Sequence, residues 1–203
     1  TDNSVAAFAV DASGVLMPAG VVVDGVGGVD GIAQCVDVAT SPDGKHVYAA
    51  GFADDAIATF SRDETTGALT FVDVLTNAEL PVSSIDGISG LALSPDGSSL
   101  YASAGLSDSL AVFDRDAATG LLTWVETEAG DPLFLGAVEV AASPLGDRVY
   151  MLAQGFVESP QFIADSLHTF SRDLVTGELT LIDTEHDGEG GVEGLTLPNS
   201  LAV

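Results

Sequence analysis

Two acidic, glycine-rich segments have residue types that could bind a metal ion. The segment DGVGGVDG begins at Asp24, and DGEGGVEG begins at Asp187. Ca²⁺ binds several hard oxygen ligands, which carboxylates and carbonyls supply, and glycine lets the backbone bend around the ion. The predicted calcium ligands are Asp24, Asp30, Asp187, Glu189 and Glu193. The competing interpretation is a pair of glycine-rich connections with solvated acids, because the spacing does not match the EF-hand loop.

A second pair of acids could carry out acid–base chemistry. Asp37 and Glu139 each lie four residues before the serine of a Ser-Pro pair, and we align Gly90 and Gly194 with them. Paired carboxylates act as acid and base when one of the two pKa values is raised. The alternative is that both acids are simply solvated in a wide channel.

Other charged residues recur at a fixed distance from four phenylalanines. An Asn or Asp lies five residues before each Phe, and an Arg followed by an Asp lies two residues after three of them: Asn3, Asp55, Asp108, Asp165, Arg62, Arg115 and Arg172. A residue that recurs in every copy of a repeat usually builds the repeat. We predict that the first set bonds the backbone of turns and that each Arg forms a surface ion pair with the Asp that follows it.

One copy of the repeat contains an insertion. The distance from Tyr150 to the next repeat phenylalanine is longer by eight residues than in the other two copies, and the added segment is close to GFVESPQF. Its aromatic residues could contact a ligand or a partner, and the predicted binding-face residues are Phe156, Glu158 and Phe162. The alternative is that the segment folds back over its own repeat.

The elements that carry these residues recur about every 53 residues. Each copy contains Ser-Pro-Asp-Gly or a variant, an apolar run, a run ending in Phe, and an Asp-x-x-Thr-Gly turn. The runs are short, rich in Val, Leu, Ala and Thr, and separated by Gly, Pro, Asp and Ser, which is typical of strands and turns. We therefore predict four strands per copy, called A to D, with tight A–B and C–D turns.

Four antiparallel strands at this period indicate a β-propeller blade. The predicted fold class is all-β: a β-propeller of four-stranded antiparallel blades, about four blades' worth, starting and ending mid-blade. The predicted boundaries within one propeller over 1–203 are a C–D hairpin at 1–28, blades at 29–83, 84–134 and 135–189, and the A and B strands of a split blade at 190–203.

The predicted split blade allows two interpretations of the chain. A seven-bladed ring needs roughly 350 residues, which favours a piece of a longer array. Alternatively, the two end segments form one composite blade, within one chain or between two, because pairing removes exposed sheet edges. The second interpretation predicts self-association through the split-blade edges.

The pattern of the repeats resembles a known family. Ser-Pro-Asp-Gly-x-x-x-Tyr, followed by Asp-Ser-Leu-Ala-Val-Phe-x-x-Asp-x-x-Thr-Gly-x-Leu, is similar to the lactonase-like seven-bladed propellers, which include 6-phosphogluconolactonase and the YVTN surface repeats. The resemblance covers essentially the whole chain. It implies an active site of His, Arg and acidic residues around the channel, yet none of those residues can be transferred to a position of this sequence.

The net charge of the chain restricts the classes of partner that it can bind and the location that it suits. Thirty-one acidic residues against five basic ones give a formal net charge of −26. Such a surface repels nucleic acid, whose phosphates need Lys and Arg, and no apolar run is long enough for membrane insertion. We predict an extracellular or cell-surface location and a protein or glycan partner. The predicted function is a non-enzymatic binding or structural module, with calcium as the candidate cofactor. The alternative is a lactonase-type hydrolase or lactonising enzyme.

Overall fold

The computed structural model describes residues 3–129, 134–155, 157–158, 161–162 and 164–203, with backbone alone at 157–158 and 161–162. The strands of the first half are β1 Ser4–Val10, β2 Leu16–Val23, β3 Cys35–Thr40, β4 His46–Gly51, β5 Ala56–Arg62, β6 Leu69–Thr76, β7 Ile88–Leu93, β8 Ser99–Ala104, β9 Ser109–Arg115 and β10 Leu122–Ala129. The others are β11 Ala137–Ala142, β12 Arg148–Ala153, β13 Val157–Glu158, β14 Gln161–Phe162, β15 Ser166–Arg172 and β16 Leu179–His186. A 3₁₀ turn covers Asn77–Glu79.

These strands form antiparallel sheets that follow the repeat. Strands β1 and β2 form a hairpin sheet; β3 to β6 form the first blade, β7 to β10 the second, and β11, β12, β15 and β16 the third. Strands β13 and β14 form a small hairpin within the insertion. The predicted all-β propeller fold of four-stranded antiparallel blades is therefore confirmed.

The turn residues act as the repeat predicts. In the first blade, the Asp43 carboxylate accepts hydrogen bonds from the Ser41 hydroxyl and the Lys45 backbone N–H, which closes the A–B turn. The Asp63 carboxylate accepts from the backbone N–H groups of Thr65 and Thr66 in the C–D turn. Asp side chains that bond the backbone two or three residues later stabilise such turns.

The apolar cores lie between successive sheets. Strands β4, β5 and β8 are buried almost throughout, because each is central in its blade and has a neighbouring sheet on its face. The core between the first and second blades contains Tyr48, Ile57, Ile88, Leu100 and Phe113. On the inner side, β7 contacts β3 of the preceding blade and β11 of the next. The three A strands therefore lie side by side around the propeller axis.

The acids that precede each repeat phenylalanine bond the next connection along the chain. Asp55 accepts from the backbone N–H of Gly87 at 2.7 Å, and Asp108 accepts from that of Gly136 at 2.8 Å. Asn3 and Asp165 bond Gln34 and Leu197 in the same way. The predicted structural role of this position is confirmed.

The predicted surface ion pairs of the repeat arginines are wrong. Arg115 and Arg172 are almost fully buried, and their guanidinium groups bond Asp43 and Asp96 of the preceding blade, both at 3.0 Å. Asp116, which follows Arg115, accepts from backbone N–H groups of its own turn. The reason is geometric: strand C of one blade ends beside the A–B turn of its neighbour.

Residues 190–203 contain no strand, although the sequence predicted strands A and B there. The backbone N–H of Leu197 bonds Asp165 in the same way that the N–H of Gly87 bonds Asp55, so Leu197 corresponds to Gly87. Gly90 lies three residues after Gly87, and its counterpart is therefore Ser200. The alignment of Gly194 with Asp37 is wrong. Among the described residues, no strand lies beside this segment to form a ladder with it.

Over the residues that the structure describes, no helix is both long and apolar enough to span a membrane.

Candidate functional site

Two carboxylates on the inner strands converge on the second blade. Asp37 of β3 and Glu139 of β11 occupy the same strand position as Gly90 of β7, which lies between those two strands. The Asp37 carboxylate accepts from the backbone N–H of Leu91 through one oxygen and from that of Val38 through the other, both at 2.7 Å. Asp37 therefore reaches across the boundary between the first and second blades.

Glu139 approaches the same place from the third blade. A methyl group built on Gly90 would lie 2.9 Å from the Glu139 Oε1 and 2.9 Å from the Ser103 hydroxyl oxygen, distances that real side chains essentially never show. The absence of a side chain at Gly90 therefore makes room for the Glu139 carboxyl. The two acids meet over Gly90 and Leu91, although more than 100 residues separate them in the sequence.

The surroundings of Glu139 suit a group that exchanges a proton. Burial raises the pKa of the Glu139 carboxyl, and the nearby Asp37 carboxylate raises this pKa further. A hydrogen bond of 3.2 Å from the backbone N–H of Val140 to the Glu139 carboxyl acts in the opposite direction and lowers the pKa. Asp37 is fixed in place by the two backbone N–H groups whose hydrogen bonds it accepts. A carboxyl of raised pKa can serve as an acid and a base in turn.

Two serine hydroxyls link the second and third blades at this position. Ser89 donates to the carbonyl oxygen of Ala137 at 2.8 Å, and its oxygen lies 3.0 Å from that of Ser103. The Ser103 hydroxyl also borders the space above Gly90. A hydrogen-bonded link between the second and third blades therefore lies beside the carboxyl pair.

The first glycine-rich connection brings three acids together. Ligand oxygens of Asp24, Asp30 and Asp54 all lie within 4.8 Å of one another. One oxygen of each carboxylate is engaged by a backbone N–H: those of Ile32, Gly31 and Ala33. The second oxygen of each carboxylate has no such bond among the described residues. The sequence interpretation missed Asp54, which lies one residue before the recurring acid Asp55.

The second glycine-rich connection does not form such a group in the described part of the chain. Asp187 accepts from the backbone N–H groups of Gly194 and Leu195 and from the Thr196 hydroxyl, which closes its own loop. Glu189 and Glu193 are exposed. Ala164 occupies the position that corresponds to Asp54, so this loop lacks the third acid.

The predicted binding-face residues lie in the insertion that contains the β13–β14 hairpin. Phe156 lies outside the described residues, as do the side chains of Glu158 and Phe162. The backbone of Glu158 pairs with that of Gln161 in the β13–β14 hairpin. The predicted binding face stays a prediction.

A protein-family model described as "Lactonase, 7-bladed beta-propeller" matches residues 1–130 and 74–192. No curated protein matches the chain significantly.

Solved structures are similar over most of this chain. A Lactobacillus plantarum protein is 25% identical with a TM-score of 0.71, over 90% of this chain and 49% of its own. A putative 6-phosphogluconolactonase of Bacteroides uniformis is 23% identical with a TM-score of 0.71, over 92% and 52%. The periplasmic gluconolactonase of Pseudomonas aeruginosa is 25% identical with a TM-score of 0.62, over 75% and 39%. The chain thus spans about half the length of the first two and less of the third.

Proposed function

The chain belongs to the lactonase family of seven-bladed β-propellers, and we propose that it hydrolyses a lactone by acid–base catalysis at Glu139, whose pKa the neighbouring Asp37 helps to raise. The prediction of a non-enzymatic binding or structural module is wrong, because the family model that matches most of the chain is that of lactonases and one structural relative is a gluconolactonase. The predicted cell-surface location and the predicted protein or glycan partner stay predictions.

The proposed substrate class is a sugar lactone. This rests on the similarity to the Pseudomonas aeruginosa gluconolactonase, whose name states its substrate. A lactone is a cyclic ester, so its hydrolysis needs a base to activate water and an acid to protonate the ring oxygen that leaves.

The carboxyl pair over Gly90 carries the proposal. The ionised Glu139 takes a proton from water as the water oxygen attacks the lactone carbonyl carbon. The tetrahedral intermediate collapses, the bond between that carbon and the ring oxygen breaks, and Glu139 returns the proton to the ring oxygen. One water is consumed and one hydroxy acid is formed. Asp37 keeps the pKa of Glu139 raised, which strengthens Glu139 as a base and slows loss of the proton before it is returned.

The test is the opening of glucono-δ-lactone by the 203-residue chain, followed as acid release at constant pH and compared with buffer. The proposal expects opening above the spontaneous rate and its loss in Glu139→Gln. A rate equal to that of buffer would contradict it.

We also propose that Asp24, Asp30 and Asp54 bind Ca²⁺. Three carboxylates so close together repel one another, and a divalent cation that the free oxygens and nearby carbonyls coordinate would relieve this repulsion. The proposal excludes Asp187, Glu189 and Glu193 from the same site. A calcium titration of the chain tests it.

A further inference from the structure

Ser103 is a polar residue at a position that is apolar in the other two complete blades. It pairs with Gly90 in the β7–β8 register, and the residues at the same place in the first and third blades are Ala50 and Leu152. The side chain of Ser103 is fully buried. A residue that builds the repeat recurs in every copy, so the Ser103 hydroxyl serves something particular to the second blade.

Ser89 departs from the repeat in the same way on the neighbouring strand. It is the bulge residue of β7, and the bulge residues of β3 and β11 are Val36 and Val138. The hydroxyl oxygens of Ser89 and Ser103 lie 3.0 Å apart. The two serines therefore replace apolar residues together and form one hydrogen-bonded pair.

The partners of Ser89 decide how the Ser103 hydroxyl is directed. A serine hydroxyl donates one proton and accepts through two lone pairs, whereas a carbonyl oxygen only accepts. The Ser89 hydroxyl lies 2.8 Å from the carbonyl oxygen of Ala137 and 3.1 Å from that of Ser103, so its single proton goes to a carbonyl. The contact between the two hydroxyls is then a hydrogen bond that Ser103 donates. The remaining lone pairs of the Ser103 oxygen can only accept.

These lone pairs lie beside the carboxyl of Glu139. A methyl group built on Gly90 would lie 2.9 Å from both the Ser103 Oγ and the Glu139 Oε1, so the two oxygens border the same small space. The Glu139 carboxyl accepts from the Val140 N–H on its other side. An oxygen that can only accept has no hydrogen bond to offer an ionised carboxylate, but it can receive the proton of a neutral carboxyl.

We infer that Ser103 is a positioning residue for Glu139: its hydroxyl oxygen accepts a hydrogen bond from the neutral carboxyl, and Gly90 leaves room for this contact. A hydrogen bond that only the neutral form can make raises the pKa of a carboxyl. The catalytic consequence rests on the proposed hydrolysis, in which Glu139 holds a proton between taking it from water and returning it to the ring oxygen. The hydrogen bond itself does not rest on that function.

Asp37 is the charged group that acts on the Glu139 carboxyl, and it favours the neutral form as Ser103 does. The strands in closest contact with β11 are β7, β8 and β12, and their titratable side chains are Tyr101, Arg148 and Tyr150. The substitution Ser103→Ala leaves all of these groups in place. A change in the titration of Glu139 in this variant therefore reports the loss of the hydroxyl.

The test is an NMR titration of the Glu139 carboxyl carbon in the 203-residue chain labelled with ¹³C-glutamate, with the signal assigned by its loss in Glu139→Gln. Ser103→Ala introduces the residue found at Ala50, so the blade should accept it. We expect the pKa of Glu139 to fall by about 0.5–1 in this variant, because one hydrogen bond to the neutral form is lost. Ser103→Thr, which keeps the hydroxyl, should keep the native pKa.

Two further variants separate this contact from a general effect of substitution. Ser109→Ala is the matched control, because it removes another fully buried serine hydroxyl, which bonds the Ser84 carbonyl, and it should leave the pKa of Glu139 unchanged. Gly90→Ala fills the space between the two oxygens without changing Ser103, so it should lower the pKa of Glu139. In the Gly90→Ala background, Ser103→Ala should have no further effect.

An unchanged pKa of Glu139 in Ser103→Ala, or an equal fall in Ser109→Ala or Ser103→Thr, would overturn the inference. If Ser103→Ala does not fold, Gly90→Ala decides, because an unchanged pKa there would also overturn it. The titration needs no substrate, so a chain that opens no lactone contradicts the proposed hydrolysis alone. In an active chain, Ser103→Ala should also move the rising limb of the pH–rate profile to lower pH.

Discussion

The guanidinium of Arg115 lies 3.0 Å from the carboxylate of Asp43, a residue of the preceding blade, and its side chain is 1% exposed against 33% for Asp43. His46 and Tyr48 of that same blade also bond the guanidinium. A buried cation that loses its carboxylate is left uncompensated, and this costs more than the pair contributes on the surface. This contact therefore stabilises the boundary between the two blades.

Asp43→Asn should lower the free energy of unfolding by about 2–3 kcal/mol, because it leaves the buried Arg115 without its countercharge. The measurement is denaturant unfolding of both proteins. Asp147→Asn is the matched control, because Asp147 pairs with Arg148 at the surface, where their side chains are 45% and 39% exposed. The expected loss of unfolding free energy is about 0–1 kcal/mol. Equal losses in the two variants would contradict the role of burial.

His46 should make the stability of the chain fall as the pH drops below about 6.5. Burial lowers the pKa of His46, and the positive charge of Arg115 lowers it further; Lys45 acts in the same direction, and Asp43 and Asp116 oppose it. The unfolded chain then binds the proton more readily than the folded chain, so protonation favours unfolding. His46→Ser, which introduces the residue found at Ser99 in the second blade, should flatten this dependence. The free energy of unfolding between pH 7.5 and 5.5 is the measurement, and identical slopes would refute the assignment.

Glu139→Gln should reduce kcat for lactone opening by about 10²- to 10⁴-fold, because the variant cannot take a proton from water. In the native chain the rate should rise with pH through the raised pKa of Glu139, since the ionised form is the base. Glu128→Gln is the control: burial also raises the pKa of Glu128, but it lies on the outer strand β10. Initial rates across pH measure both effects. An unchanged kcat in Glu139→Gln would exclude it as the base.

Asp37→Asn should move the pH–rate profile rather than abolish activity. The Asp37 carboxylate raises the pKa of Glu139, so its neutralisation lowers that pKa and shifts the rising limb to lower pH. An asparagine carbonyl can still accept the Leu91 N–H, which preserves the local hydrogen bond. A profile that keeps its position would show that the two carboxyls are not coupled.

Addition of Ca²⁺ should raise the melting temperature of the chain, because an ion bound to the folded state alone stabilises that state. Asp54→Asn should remove most of this increase, because it neutralises one of the three converging acids. Asp187→Asn, which alters the equivalent loop without such a group, should keep the increase even if its melting temperature is lower throughout. Melting curves that do not respond to calcium or to a chelator would end the proposal.

The repeat made the fold predictable from the sequence. Alternating apolar runs, Ser-Pro-Asp-Gly turns and Thr-Gly turns specify strands and hairpins through contacts only a few residues apart, such as Asp63 with Thr66. The same regularity correctly assigned Asp55 and Asp108 to structural roles, because a position that recurs in every blade serves every blade.

Contacts between blades were decided by the tertiary structure. Arg115 bonds Asp43 rather than the adjacent Asp116, Asp54 joins Asp24 and Asp30, and Asp37 and Glu139 meet over Gly90. Each of these sets joins residues from different loops or sheets, and their distances depend on how far one blade is rotated against the next. Local sequence patterns determine strands and turns; only the packing of large apolar faces sets that rotation and therefore brings these charged groups together.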